Sequence, residues 1–279
     1  MNAPTDRRDI IILKLFGGYI KTSYICRKVF EDSNIYNKGS DLSMKYISLP
    51  SEEVRPLPFY LATEDYLAQN MDGDDLLMLW QVEPSVIYGR NQVVENEVNL
   101  DYCRENGIRV YQRKSGGGCV YADKDNLMLS MVTSEENVGF AFNRFVTMVL
   151  LVLRKMGIEA TGTSHNDIMI GDRKVCGTAC RKTTKGCIVH STMLYDTNMA
   201  HMLNAITPGP EKLEKKGIQS VRQRITLLKD HTSLSLDEVK KLIRETLCQG
   251  ERMLTEEEIL IIKGEKVKRY KGEIRIQKL

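Results

Sequence analysis

From Tyr46 onward the chain predicts an α/β fold, because short apolar or β-branched runs alternate with segments of amphipathic helical spacing. Explicit helix signals support it: Ser235-Leu-Asp-Glu238 is a capping box, and Phe142, Phe145, Val149 and Val152 trace one face of a longer helix. Composition sets the scale. With 279 residues, 42% hydrophobic and 28% charged, the chain has the profile of one large domain, or one domain with a small appendage. No internal repeat or low-complexity tract interrupts it.

Residues 1–43 have a different texture and are expected to be an extension outside the fold or a mis-set start. Their apolar run is broken by Lys14, Lys21, Arg27 and Lys28, so it is too short and too charged to span a bilayer, and no clear signal-peptide core follows Arg7 and Arg8. MKYISLP, opening at Met44, predicts a strand, and FYLATEDYL the first helix. Leu76 to Trp80 and Ser85 to Tyr88 predict neighbouring strands joined around Pro84, with Ile108 to Arg113 and Leu127 to Val132 extending the set. Asn99 caps a short helix that ends at Gly107. DIMIGDRKVC predicts a hairpin turning at Gly171-Asp172, which puts Lys174 on the returning strand. The capping box opens a helix running to Cys248, expected to be the last of a domain spanning 44–250. A short tail, 251–279, follows; its TEEEILIIKGEKVKRY is helix-like, and the tail is too short for a second core.

A net charge of +3 is too small to imply nucleic acid as a partner, and no membrane segment is expected. Seven cysteines without a scaffold rhythm fit a reducing compartment, so the expected location is cytoplasmic.

The chemistry concentrates in two places. RKSGGGCVY, Arg113 to Tyr121, is a triple-glycine turn between strands, where absent Cβ atoms let backbone N–H groups approach phosphate; a ligand-free tight turn explains the same residues. Arg113 can fork onto phosphate or simply end a strand. Lys174, on the hairpin, can supply a positive charge. Asn166 and Asp167 precede that hairpin, either as an ordinary Asx turn or as groups facing the same cleft, with Asp167 helping to orient a divalent cation on ATP phosphates. Glu64 either lines the cleft or sits on the wet face of the first helix, with the wet face expected, and Trp80 is expected in the core in preference to a ligand wall. Cys176, Cys180, Cys187 and His190 resemble a metal-ligand list, but their first spacing is wrong for a common zinc knuckle. Cys119 is either a nucleophile or a small buried residue.

Five blocks occur in order: FYLATEDYL, LMLWQVEPSVIYGRNQ, QRKSGGGCVYADKDN, SHNDIMIGDRKVCGTACRKTTKGCIVHSTMLY and KLEKKGIQSVRQRITLL. Together they resemble the catalytic domain of lipoate-protein ligases over about residues 46 to 250. The resemblance implies a mixed β-sheet flanked by helices, the biotin/lipoate-protein ligase fold related to class II aminoacyl-tRNA synthetases. It implies activation of lipoate by ATP with Mg²⁺, release of pyrophosphate, and transfer of the lipoyl group to a lysine. The acceptors would be lipoyl domains of the glycine-cleavage H-protein or 2-oxoacid dehydrogenase E2 type. By the same resemblance Arg113, Gly118, Cys119, Val120 and Tyr121 hold ATP, with Asn166 and Asp167 near phosphate and cation. Lys174 contacts both the phosphate and the lipoyl carbonyl. Ser115, Gly116, Gly117, Gly177, Thr178 and Ala179 line the lipoyl-adenylate cleft, with His190 on its floor.

The chain also departs from the family pattern. Cys176 replaces a serine, Cys119 an alanine, Ala122 a histidine, and Ser191, in HST, a glycine, which is expected to narrow that wall slightly. The small C-terminal domain of many such ligases is expected to be missing, so a separate accessory polypeptide enters the expectation. Two other functions stay open. One is an ATP-independent octanoyl or lipoyl transferase, disfavoured because no cysteine occurs at Thr163 to His165; the other is a degenerate lipoate-binding regulator.

Overall fold

The computed structural model describes residues 44–51, 53–163, 167–206 and 224–266. The expected extension at 1–43, Asn166 and the last part of the tail, 267–279, lie outside the described residues.

In chain order the elements are β1 (Met44–Ser48), α1 (Leu57–Gln69), β2 (Leu76–Trp80), β3 (Ser85–Tyr88), α2 (Leu100–Glu105), β4 (Arg109–Gln112), β5 (Val120–Ala122), β6 (Leu127–Thr133) and α3 (Val138–Lys155). They continue with β7 (Thr161–Gly162), β8 (Asp167–Ile170), β9 (Arg173–Thr183), β10 (Gly186–Met193), α4 (Met199–Ala205), α5 (Leu236–Leu247), β11 (Cys248–Met253) and α6 (Glu256–Ile261). Eight strands form one mixed sheet in the order β11-β1-β2-β6-β10-β9-β8-β7, and three form a small sheet, β4-β3-β5. β1 runs parallel to both β11 and β2, whereas β2, β6, β10, β9, β8 and β7 pair antiparallel.

Helix boundaries follow local chemistry. Asn99 Oδ1 accepts the Tyr102 N–H at 3.0 Å, and the chain turns out of α2 at Gly107 with φ +65°. The Ser235 and Glu238 capping box is closed in both directions, and a second box, Thr255 with Glu258, opens α6.

Three apolar clusters hold the layers. Phe145, Val149 and Val152 of α3, with Val239, Ile243 and Leu247 of α5, cover one face of the large sheet. α1 and α6 cover the other, through Leu61, Leu67, Ile259 and the following Ile262. A third cluster packs the small sheet against α2 and α4.

Four expectations change. Leu76 to Trp80 and Ser85 to Tyr88 do not pair: β2 has both edges taken by β1 and β6, and β3 leaves to the small sheet between β4 and β5. The last predicted helix stops at Leu247, and Cys248–Met253 is an edge strand beside β1. A boundary at residue 250 therefore falls inside β11, and Leu254, Ile259 and Ile262 of the supposed tail are core residues. Glu64 is not on a wet face. Eleven of the thirteen residues of α1 are buried, because the helix lies between the large sheet and the C-terminal helix, and Glu64 is 1% exposed.

Candidate active site

The hairpin forms as its turn residues require, with Gly171 at φ +60°. Its register shifts between Ile168 and Met169, and Asp167 lies opposite Gly177. Lys174 Nζ sits 2.8 Å from Asp167 Oδ1, with both side chains about a third exposed (32% and 31%). A methyl group on Gly177 would come within 2.7 Å of Nζ, so the glycine leaves the space that the ammonium occupies. Ion pairs of this exposure contribute about 0–1 kcal/mol, so Lys174 can exchange Asp167 for a bound anion.

The triple-glycine turn is held by Arg113. Its Nη2 donates to the carbonyls of Gly116 at 2.8 Å and Gly118 at 2.6 Å, and Nη1 donates to Ile87 at 3.0 Å. Burial lowers the Arg113 guanidinium to about 10, which leaves it cationic at neutral pH. The expected fork onto phosphate is thus largely committed to the turn's own backbone. Of the three glycines only Gly117, at φ +92°, needs the left-handed region. Gly89 supports the turn from the loop after β3, since a Cβ there would lie 2.2 Å from the Gly117 carbonyl oxygen.

A cavity of about 150 Å³ lies between hairpin and turn. Arg113, Asp167, Lys174 and Thr178 give it a polar side, and Leu61, Trp80, Ile87 and Met128 an apolar one. Gly117, Gly118, Cys119 and Val120 line it from the turn, with Gly177, Ala179 and His190 from the large sheet. An elongated molecule with an anionic head and an apolar body matches that division.

Ser115, Gly116 and Tyr121 are not part of the lining, although all were predicted site residues. Ser115 and Tyr121 are each 1% exposed. Burial, with Asp123 beside it, pushes the Tyr121 phenol up. Cys119 packs its side chain against the cluster of the small sheet. Cys176 is fully buried, and burial pushes its thiol up to about 11.

Beneath the cavity lies a buried polar chain that sequence reasoning missed. His190 and Ser130 are direct cross-strand neighbours on β10 and β6. Glu64 descends between them: Ser130 Oγ donates to its carboxylate at 2.6 Å, and His190 Nδ1 lies 3.1 Å from Oε2. Trp80 Nε1 donates to Ser130 Oγ at 2.8 Å, and His190 Nε2 is 2.8 Å from Ser115 Oγ. Trp80 is core, as expected, and also cavity wall; the acidic Glu64 inside FYLATEDYL was the one available signal for this network.

Among the described residues no group of three or more His, Cys, Asp or Glu side chains is placed to hold a metal, which includes the Cys176, Cys180, Cys187 and His190 set. Among the described residues lining the cavity, Asp167 alone offers a carboxylate.

Residues 56–248 match the family model for the lipoyl protein ligase A/B catalytic domain. The chain belongs to this family. Lipoate–protein ligase 1 of Staphylococcus aureus is 33% identical over 208 residues, covering 73% of this chain and 63% of that relative. Lipoate-protein ligase LplJ of Bacillus subtilis is 39% identical over 168 residues, covering 59% and 50%. The chain thus spans between half and two-thirds of the length of the curated relatives it matches. Among solved structures, the bipartite lipoate protein ligase of Thermoplasma acidophilum, described with its E2 lipoyl domain, superposes with a TM-score of 0.68 at 26% identity, covering 80% of this chain and 91% of that one. A putative lipoate protein ligase from T. acidophilum with bound lipoic acid gives 0.66 at 25% identity, covering 79% and 93%. The mixed sheet with flanking helices is the family's fold.

Proposed function

We propose that the chain is an ATP-dependent lipoate-protein ligase. The carrying observation is the divided cavity, with Lys174 held over it by an exchangeable ion pair. The lipoate carboxylate displaces pyrophosphate from the α-phosphorus of ATP, giving lipoyl-AMP; the amine of an acceptor lysine then attacks the acyl carbon and AMP leaves. A carboxylate is a poor acyl donor, so adenylation supplies the leaving group. The apolar wall of Leu61, Trp80, Ile87 and Met128 holds the acyl chain away from water, which protects the mixed anhydride. Lys174 moves from Asp167 to the phosphate and acyl oxygens, where it offsets the charge that develops in both steps. The turn from Gly117 to Val120 brings backbone to the nucleotide.

Mg²⁺ fits as an ion carried by nucleotide phosphates, with Asp167 as its protein carboxylate, the arrangement common for this ion. It would neutralise phosphate charge during adenylation. The acceptors are lipoyl domains of the E2 or H-protein type, a reading supported by the E2 domain described with the T. acidophilum ligase. A separate accessory polypeptide, parallel to the bipartite organisation of the T. acidophilum ligase, belongs to the same reading. The proposed location is the cytoplasm; no helix among the described residues is long and apolar enough to cross a membrane.

The test is incubation of the purified chain with lipoate, Mg-ATP and an apo acceptor domain, alone and with a candidate accessory polypeptide, following acceptor mass and pyrophosphate. Lipoate-dependent pyrophosphate release and a lipoylated acceptor are expected. Acceptor modification only from an octanoyl carrier protein, indifferent to ATP, would replace this reading with the transferase one.

A further inference from the structure

Glu64 and Asp65 are consecutive on α1, and their carboxylates reach consecutive residues ahead of the glycines. Asp65 takes Lys114 directly, at 2.5 Å. Glu64 reaches Ser115 through His190, with its two oxygens 3.2 and 3.1 Å from Nδ1 and with Nε2 2.8 Å from Ser115 Oγ. Serine, histidine and carboxylate in series is also the arrangement of an activated nucleophile. Burial removes that role here, because Ser115 is 1% exposed and lies outside the cavity lining, where its oxygen meets no acyl group.

We propose that Glu64 is a positioning residue for the triple-glycine turn, acting through His190 on Ser115. As a carboxylate Glu64 only accepts, so the ring proton facing it is on Nδ1 and is donated to Glu64. Nε2 is left as an acceptor, and the Ser115 hydroxyl donates to it. Ser130 donates to Glu64 from the other side and accepts from Trp80, so every hydrogen bond of the chain is directed toward one carboxylate. The Ser115 carbonyl accepts the Arg90 N–H at 3.0 Å, and Arg113 holds the carbonyls of Gly116 and Gly118. Lys114 to Gly118 is thereby fixed before a ligand arrives, from α1 on one side and from Arg113 on the other.

The kinetic consequence rests on the ligase reading; the direction of the hydrogen bonds does not. The chain has four histidines, so imidazole ¹⁵N shifts of the full protein are assignable. His190 is expected to carry a proton on Nδ1, the nitrogen that faces Glu64. Glu64→Gln puts an amide donor where an acceptor stood. The expected result is loss of the fixed Nδ1–H pattern together with a KM for lipoate raised about tenfold, equivalent to about 1.4 kcal/mol, and a kcat within about threefold of wild type. If that variant does not fold, Ser130→Ala removes the hydroxyl that holds Glu64 from behind and is expected to raise KM in the same direction. An unprotonated Nδ1 in the wild-type protein, or a Glu64→Gln protein with unchanged shifts and unchanged KM, overturns the proposal. A wild-type chain that makes no lipoyl-AMP defeats the ligase reading, while the shift pattern still decides the relay.

Discussion

Lys174 and Cys119 are opposite cases at the scale of single residues. Lys174 is a third exposed and, among the described residues, forms its ion pair with Asp167 at 2.8 Å, so its charge is available to a ligand. Lys174→Ala is expected to lower lipoyl-AMP formation by at least about a hundredfold, the loss typical of a removed charge-stabilising group, measured as pyrophosphate release. Wild-type release would refute the role. Cys119 lies beside the same ligand space, yet its side chain packs with the small-sheet cluster around Val98 and Tyr121. Cys119→Ala is expected to leave kcat/KM within about threefold of wild type, because a small half-buried thiol is replaced by a small apolar group. A complete loss of acceptor modification in a folded variant would point to covalent catalysis instead. For Cys119 the sequence left two readings open, since a residue's neighbours in the chain do not say which side of a strand it faces.

At the scale of elements, the turn and the two C-terminal elements carry the testable weight. The loop after β3 and the triple-glycine turn meet without room for a Cβ at Gly89. Gly89→Ala is expected to cost about 1–3 kcal/mol, the usual range for overpacking, and to weaken lipoate binding. Urea unfolding and isothermal titration give the two quantities, and unchanged values in both would show that the turn is adaptable. The segment that runs from the end of β11 to the residue after α6 contributes Leu254, Ile259 and Ile262, each no more than 2% exposed. Burial of such side chains contributes about 1.5–3 kcal/mol apiece, which together is comparable with the total stability of about 5–15 kcal/mol of a typical domain. Truncation after Gly250 is therefore expected to give an insoluble or molten product; a cooperative melt near the full-length value would restore the boundary at 250. The strand is hidden in the sequence because CQGERM is an exposed edge with Cys248 and Arg252 half-buried, and its polar composition masks the parallel pairing with β1.

At the scale of the whole molecule, buried thiols make alkaline pH a probe of the packed core. Cys103 and Cys176 are fully buried, and burial pushes each from the ordinary 9.0 up to about 11. Between those values the unfolded chain releases thiol protons that the folded chain retains. The unfolded state then binds fewer protons, so stability falls as pH rises through this window, by up to about 1.4 kcal/mol per pH unit for each thiol. Melting temperatures measured at increasing pH are expected to drop above pH 9 and to drop less in a Cys103→Ala, Cys176→Ala protein. Equal slopes for the two proteins would assign the loss to other groups.

Much of this molecule is legible in its linear order. The Asn99 and Ser235 caps, the apolar face of α3 and the Gly171 turn are set by interactions within a few residues, so the sequence alone determined where those elements form and that Lys174 returns on a strand. The spacing of the five blocks likewise determined the family. What only the tertiary structure decided depends on contacts between distant segments. The parting of β2 and β3 into two sheets, the capture of Cys248–Met253 by β1, and the closing of Arg113 on its own turn are all of this kind. Glu64 shows the reason most clearly. A glutamate on a helix is ordinarily placed in water, where its charge is solvated; here Ser130 and His190 replace that solvation. Those partners lie 66 and 126 residues away in the chain, beyond the reach of any local pattern.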